Sequence, residues 1–593
     1  MARSNASASI RRSRAILAIL VILLSACALR LVDLQLVQGP ELAAEGEQVR
    51  TSRSAIAAKR GQILDATGTV LADSILTYDI AVNQVNIRSY IHYETKEING
   101  SEQTVVAGRG PAEAARQLSE LLGVPEAELG GRLIGDSTYT YLKRNVDAVT
   151  FRKIRALDIY GIEWEAVYER IYPNGNTAAP LIGTVNAEGE GSSGIEQQYD
   201  SLLQGLPGSQ AFEIAPDGAV IPGGKRTLEE PHDGGTVSLT IHTDLQHQVQ
   251  ELLDTAITNH GAEWGAVVIE DVSTGQVLVM ADSYSTPPDN ANPQIVRAVQ
   301  YATEPGSVGK VLTNAVALEQ GTITPTSVFS VPGSINMPGA DGPINDFHQH
   351  ETYERTATGI LVQSSNTGTV QVGDTVSDES RYDMMKKLGF GELTGIELSG
   401  ESAGLLRPPS EWGGRDRYVS MFGQSYAVTP LQMASMMATI GNGGVRISPR
   451  IVKSWTNADG TFEEQKRPEP VQVMSADTAK KVLTMMESVV ADPNGTNGVG
   501  GVEGYRVGLK TGTAEIGVDG QSGLTGIAST TAGIIPADKP RLAIAVVIYN
   551  PKVAYLAASS ALPLFGQVAE AAVKNLGIPA SAEPAVLYPS APQ

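Results

Sequence analysis

One cysteine in 593 residues, Cys27, excludes an intramolecular disulfide and any cysteine-rich metal centre. Histidine is nearly as scarce, at seven, and no HExxH string or cluster of acidic partners accompanies it. His348 and His350, in Asp346-Phe347-His348-Gln349-His350, therefore make a poor zinc site, and neither a metal nor another cofactor is expected. No phosphate-cradling glycine loop of the Walker type occurs. Positive charge is in deficit, 44 Lys+Arg against 65 Asp+Glu, for a formal net charge of −21. That balance repels nucleic acid and anionic lipid heads, so no nucleic-acid partner is expected.

Near the N-terminus, Arg3, Arg11, Arg12 and Arg14 precede an uncharged apolar run from Ala15 to Leu29. Leu31, Val32, Leu34, Leu36 and Val37 extend it toward the ~20 residues of a spanning helix, and Arg30 snorkels to the outer interface. Basic residues ahead of such a run place that end in the cytoplasm and the remainder outside. Ala26-Cys27-Ala28 also has the small-x-small form of a signal-peptidase site, and Leu24-Ser25-Ala26-Cys27 resembles a lipoprotein box. An uncleaved anchor is preferred because the apolar pattern runs past both candidate cuts. All three readings put the bulk of the chain outside.

A chain this long calls for two or three domains. Gly39-Pro40 closes the anchor, and a polar amphipathic stretch follows to about Ser54. Ile63, Leu64, Val70 and Leu71 flank a Thr-Gly turn and predict a hairpin. Pro111 to Leu122 predicts a helix opened by proline and closed by Gly123. The stretches Glu169 to Gly175 and Gly194 to Glu196 are turn-rich scaffold without evident catalytic logic. A boundary falls at Pro231-His232-Asp233-Gly234-Gly235. Thr236 to Ile241 then reads as a strand, and Asp244 as the cap of a helix from about Leu245 to Asn259. Ala266–Glu270 and Val277–Ala281 predict a second hairpin, while strands return at Arg506–Thr513, Ala528–Ile535 and Leu542–Tyr549 before a helix over Leu562–Leu576. That order predicts one antiparallel sheet made from the two ends of a domain, with helices on its faces. The tail from Pro579, rich in Pro, Ala and Ser, is expected to be disordered.

Three short strings carry the chemistry: Ser307-Val308-Gly309-Lys310, Ser364-Ser365-Asn366 and Lys510-Thr511-Gly512-Thr513. Pro305-Gly306 breaks the chain before Ser307, and Val308 to Glu319 predicts a buried helix, so Ser307 sits where free amides and the helix dipole favour negative charge. Lys310, three residues on, shares its face, and a lysine whose ordinary pKa near 10.4 is lowered by burial and neighbouring cations becomes a base for the serine. Gly309 is costly inside a helix and is expected to relieve crowding beside a substrate. Ser364 follows a helical stretch, Thr356 to Gln363, and suits proton relay to a leaving amine, with Asn366 holding a substrate amide. On the third string, a predicted strand, Lys510 and Gly512 share one face while Thr511 and Thr513 share the other. A substrate lying along that edge gains main-chain hydrogen bonds, and the backbone amides of Ser307 and Thr513 are candidate oxyanion donors. Each string alone is weak, since roughly one chance SxxK is expected in a chain of this length. The first would be better read as a surface lysine with a capping serine, and the second as an ordinary polar helix end. A mere decorated strand is the less attractive reading of the third, the rarest of the three. Their order, wide gaps and flanking residues make the set specific.

With Glu304-Pro305-Gly306-Ser307, Phe422-Gly423-Gln424, Thr429-Pro430-Leu431-Gln432-Met433 and Asn442-Gly443-Gly444, the chain resembles the class B penicillin-binding proteins, and within them the septal cell-division transpeptidases of the FtsI type. Arg60-Gly61 with Asp65 and Gly68, and Arg170 with Tyr172, Pro173 and Gly175, match that family's pedestal motifs. The resemblance covers about Ala15 to Leu576; Gly309 stands where a bulkier residue is usual, and Leu509 replaces the common glycine before Lys510. It implies an α+β protein with a cytoplasmic tail (1–14), a transmembrane signal anchor (15–37), an elongated mixed pedestal and dimerisation domain (38–232), a penicillin-binding transpeptidase domain with helices on both faces of an antiparallel sheet (233–576) and a disordered tail (577–593). It implies a single-pass membrane enzyme at the division septum that cross-links peptidoglycan stem peptides through a Ser307 acyl-enzyme. Lys310, Ser364, Asn366 and Lys510 would be catalytic, with Thr511, Gly512 and Thr513 binding substrate. β-Lactams would acylate Ser307. No glycosyltransferase signature of the Glu-Asp-x-x-Phe kind precedes the second domain, so lipid-linked nascent glycan would be polymerised by an FtsW-type partner alongside other divisome membrane proteins. An elongation-type transpeptidase, and a β-lactam sensor or inert scaffold, stay open as alternatives; a β-lactamase lacks a convincing deacylating base.

Overall fold

The computed structural model describes residues 3–41, 51–213, 221, 225–284, 295–517 and 524–592. The polar stretch expected after Gly39-Pro40 falls mostly on 42–50, outside the described residues. The chain forms two compact units that interleave in sequence: 1–59, 76–169 and 206–233 make the first, while 60–75, 170–205 and 234–593 make the second.

In the first unit, the segment Ile10–Val37 is long and apolar enough to cross a membrane, and none of it is buried. Its 28 residues reach about 42 Å at 1.5 Å each, against a hydrocarbon core of ~30 Å. The helix runs Arg3–Val32 and passes into a π turn at Asp33–Val37. Helix Gly110–Leu122 begins with Pro111 in its first turn and ends on Gly123 at φ 62, the left-handed conformation glycine adopts freely. Ala114, Ala115, Leu118 and Leu122 from that helix pack with Ile80, Val82, Leu142, Val146 and Phe151 into a separate small core. Strands Thr51–Ile56, Gly208–Glu213 and Arg226–Glu229 form a three-stranded antiparallel sheet.

In the second unit, Ile63–Leu64 pairs antiparallel with the start of strand Val70–Val82, as the Thr-Gly turn predicts. The two segments that read as plain scaffold converge here with Arg60, from the stretch leading into the hairpin. Arg60 and Arg170 both donate to the fully buried Glu196, each Nε at 2.7 Å, and Arg60 also reaches Asp200. That buried carboxylate is thus paired with an arginine on each of its oxygens.

Helix α1 (Thr243–His260) packs beside the hairpin β1 (Trp264–Asp271) and β2 (Val277–Tyr284). Asp244 lies in the first turn of α1 but does not cap it; Asp65, far off in sequence, accepts from Thr243 N at 3.1 Å and Thr243 Oγ1 at 2.7 Å. The central helices are α2 (Lys310–Glu319), α3 (Ala357–Gln363), α4 (Asn366–Gly373), α5 (Pro430–Gly441) and α6 (Ala476–Ala491). Strands β3 (Gly508–Gly517), β4 (Leu524–Ile535) and β5 (Leu542–Tyr549) then precede helix α7 (Ala561–Asn575). The strands join in the order β2-β1-β5-β4-β3, all antiparallel, so both ends of the unit build one sheet. Every residue of β1 is buried, because helices cover both faces: α1 and α7 pack with each other against the sheet, as α5 and α6 do. β3 is left as the outer strand, and among the described residues one edge of its backbone has no partner strand.

The tail departs from expectation. Residues 579–592 lie against this unit rather than in disorder, with Tyr588 packed on the main core and Ser581, Pro589 and Ser590 hydrogen-bonded to it. A Pro/Ala/Ser composition describes an extended chain, and extended backbone orders when its carbonyls find fixed donors.

Candidate active site

Gly306 brings the first string to the third. At φ 56 its N–H donates to Gly423 O at 3.0 Å, and an added Cβ would fall 2.9 Å from Thr513 O. Residues Gly306–Gly309 then form a tight 3₁₀ turn that runs into α2, rather than the plain α-helical start that the sequence predicts. In such a turn side chains three apart eclipse, which sets Ser307 and Lys310 on one side. Ser307 is half-buried, and among the described residues no hydrogen bond ties down its hydroxyl.

Lys310 is 0 % exposed. Its Nζ donates to the Ser364 carbonyl and, at 3.3 Å, to Ser364 Oγ. Lys510, equally enclosed, donates to the same Oγ at 3.0 Å and to Thr511 O at 2.9 Å. One hydroxyl therefore bridges two amines from segments far apart in the chain. Burial drives the Lys310 pKa well below the ordinary lysine value, the Lys510 charge pushes it further down, and Asp346 opposes both. Burial alone lowers Lys510 to about 7. The arrangement suits a neutral amine beside the nucleophile and a second amine within reach of a carboxylate.

Ser364 sits between α3 and α4 in the left-handed conformation, φ 58, as a loop placement predicts. Asp346 holds this corner, and sequence reasoning missed it. Its Oδ1 accepts from Thr367 N at 2.9 Å and from Asn366 N, while Oδ2 accepts from Ser365 Oγ at 2.7 Å. A carboxylate at the free amides of α4 fixes the second string from outside it. The string Asp346 to His350 drew attention only for its histidines, and a cap acting across about twenty residues leaves no local mark. His350 instead braces that carboxylate, Nε2 to Oδ2 at 2.9 Å. Among the described residues no three potential metal ligands converge. Asn366 Nδ2 donates to Asn345 O at 3.0 Å, which leaves its side-chain carbonyl unengaged among the described residues.

On β3, Gly512 has no room for a side chain, because a Cβ would meet Thr530 Oγ1 at 2.3 Å and Pro305 O at 2.4 Å. The strand thus lies flush against the nucleophile turn, while Thr511 and Thr513 on its other face stay accessible. Contrary to the expectation from sequence, Gly309 faces other parts of the fold and not a substrate. An added Cβ would fall 2.5 Å from Tyr426 Oη and 2.6 Å from Gly423 Cα, so the glycine makes space for the 423–426 loop. Leu509 is fully buried and backs Gly500 and Gly533, away from the cleft. A cavity of about 670 Å³ opens around Glu319, Lys387 and Asn442, at the opposite end of α2, and none of the eight candidate residues lines it.

The fold has counterparts among known proteins. The penicillin-binding protein transpeptidase domain matches residues 265–570, and the penicillin-binding protein dimerisation domain matches 55–239. The penicillin-binding protein PbpB of Mycolicibacterium smegmatis is 35% identical over 96% of this chain and 90% of its own length. The peptidoglycan D,D-transpeptidase FtsI of Escherichia coli K12 is 30% identical over 93% of this chain and 89% of its own. The crystal structure of penicillin-binding protein 3 from Mycobacterium tuberculosis, complexed with aztreonam, superposes with a TM-score of 0.66 at 29% identity, covering 91% of this chain and 100% of that one.

Proposed function

The chain belongs to the class B penicillin-binding proteins, and from that premise we propose that it is a septal peptidoglycan D,D-transpeptidase acting through Ser307. One observation carries the assignment of roles: Ser364 Oγ is shared by Lys310 and Lys510 beside the turn that presents Ser307. Lys310, disfavoured as a cation by burial and by Lys510, takes the proton from Ser307 Oγ as that oxygen attacks the penultimate D-Ala carbonyl. Negative charge on the carbonyl oxygen is met by the backbone N–H groups of Ser307 and Thr513, whose chain segments touch at Gly306. The tetrahedral carbon then collapses to an ester on Ser307, and the terminal D-Ala leaves with a proton relayed through Ser364 from Lys310. An amine of a second stem peptide attacks the ester, forms the new peptide bond and frees the serine. Lys510, Thr511 and Thr513 hold the substrate carboxylate, Gly512 lets the peptide lie along the open edge of β3, and Asn366 accepts from a substrate amide. A β-lactam follows the same first step and remains on Ser307.

The arginines ahead of the apolar helix support a cytoplasmic N-terminus with the catalytic unit outside. An ester conserves the energy of the cleaved peptide bond where no nucleotide is supplied. An FtsW-type glycosyltransferase, met through the anchor and the dimerisation domain, supplies the lipid-linked nascent glycan.

Incubation of the purified chain with a D-Ala-D-Ala peptide and an amine acceptor is expected to release D-alanine in step with the joined product. Prior exposure to penicillin should block both. Rapid turnover of a chromogenic cephalosporin without joined product would assign the chain to hydrolysis instead.

Acylation at limiting penicillin should fall as pH rises through about 7, because that regime reports on the free enzyme and only protonated Lys510 clamps a carboxylate. Lys510→Arg, which stays charged, should lose the alkaline fall. Parallel profiles for the two proteins would remove Lys510 from the clamp.

A further inference from the structure

Prolines at 579, 584, 589 and 592 keep the last described segment extended, and it is tied down at two places. At the first, Ile578 O accepts from Tyr505 Oη at 2.6 Å, Ser581 N donates to Gly504 O at 2.9 Å, and Ser581 Oγ accepts from Arg506 N while donating to Asp538 Oδ1 at 2.6 Å. At the second, Pro589 O accepts from Thr356 Oγ1 at 2.6 Å, Ser590 O accepts from Thr356 N at 3.3 Å, and the Ser590 side chain bonds Asp492. Between them Val586 is 84 % exposed while Tyr588 packs on the main core.

The second tie is made to the cap of α3. Thr356 Oγ1 accepts from Gly359 N at 2.9 Å, so the hydroxyl that starts the helix also grips Pro589. This helix is seven residues long and ends on Ser364, the hydroxyl between the two lysines. A rod of about 10 Å passes a shift at one end straight to the other. Gly359 shows how close the approach is: a Cβ there would lie 1.9 Å from Ser590 O. Glycine is a poor helix former, and the passage of the tail accounts for its place in the middle of α3. The start of α3 is also held by Ala357 N to Ser327 O and Thr358 Oγ1 to Pro325 O, both 2.8 Å, so the helix persists without the tail.

We propose that residues 579–592 are a strap that positions Ser364, and so sets the rate of proton relay, by gripping the N-terminal cap of α3. The inference rests on the role given to Ser364 above. The grip on α3 is made at Thr356 and touches neither Ser307 nor the substrate-binding strand β3, so its loss acts on the bond-making step rather than on binding.

The test compares the full chain with one ending at Ile578, each with and without Gly359→Ala, by fluorescent-penicillin acylation over a range of concentrations. Loss of the strap is expected to lower the saturated acylation rate about tenfold, a plausible cost of a sub-ångström displacement, with the half-saturating concentration unchanged. Gly359→Ala in the full chain should reproduce that loss, since the methyl group displaces Ser590. In the shortened chain the same substitution should cost nothing more, because the oxygen it collides with is gone. A shortened chain acylating at the parental rate, or a Gly359→Ala loss equal in both backgrounds, overturns the proposal. Should the shortened chain not melt cooperatively, the full-length Gly359→Ala protein decides alone, and its acylation at the parental rate is the overturning result. A parental chain that does not label at Ser307 overturns the proposed chemistry itself, and the strap with it.

Discussion

A chain carrying Ser307→Ala is expected to take up no covalent penicillin at all, while melting as the parental protein does. The ester needs a nucleophilic oxygen, and its removal leaves only reversible binding. Stability should be spared because among the described residues the Ser307 hydroxyl has no hydrogen-bond partner to be orphaned, and the site is only half-buried. Mapping of labelled peptide by mass spectrometry checks the first half of the claim, and a thermal melt of both proteins checks the second. Persistent label on the variant would move the nucleophile elsewhere, and Ser364, held by two lysine amines, would be the first place to look.

Lys310→Met is expected to lower the acylation rate by ~10²–10⁴, the usual worth of a positioned general base, with Ser307 still present. Methionine matches the length of the lysine stem and needs no solvation, so the variant should melt at or above the parental temperature at neutral pH. Linkage fixes the sign of its pH dependence. Lys310 titrates lower in the folded protein than its ordinary 10.5, so the fold disfavours its charged form. The unfolded chain therefore holds the extra proton between the depressed value and 10.5, and parental stability contributed by this group rises with pH across that window. The stability advantage of Lys310→Met should accordingly be largest below the depressed pKa and fade as pH approaches 10.5. An acylation rate equal to the parental one would dismiss Lys310 as the base. A stability advantage that instead grew with pH would contradict the buried, depressed amine.

The local elements were legible in the chain. The Thr-Gly hairpin, the helix between Pro111 and Gly123, and the strands β1 to β5 follow from turn residues and short apolar runs within a dozen positions. Elements that depend on a distant partner were not. Asp65 rather than Asp244 caps α1, Asp346 caps α4, and Gly309 faces Tyr426 instead of a substrate. The tail is ordered by bonds such as Thr356 to Pro589, 233 residues apart, which no composition rule registers.

The sequence by itself determined the kinds of group available and the one local relation among them: Ser307 and Lys310 three residues apart in a turn opened by Pro305-Gly306. Tertiary structure alone decided that Ser364, 54 residues from Lys310 and 146 from Lys510, lies between both amines. It alone decided their acidity, because a lysine loses its proton only when the packing of other segments takes water away from it. Residue type and short spacing are written along the chain, whereas burial belongs to the assembled core.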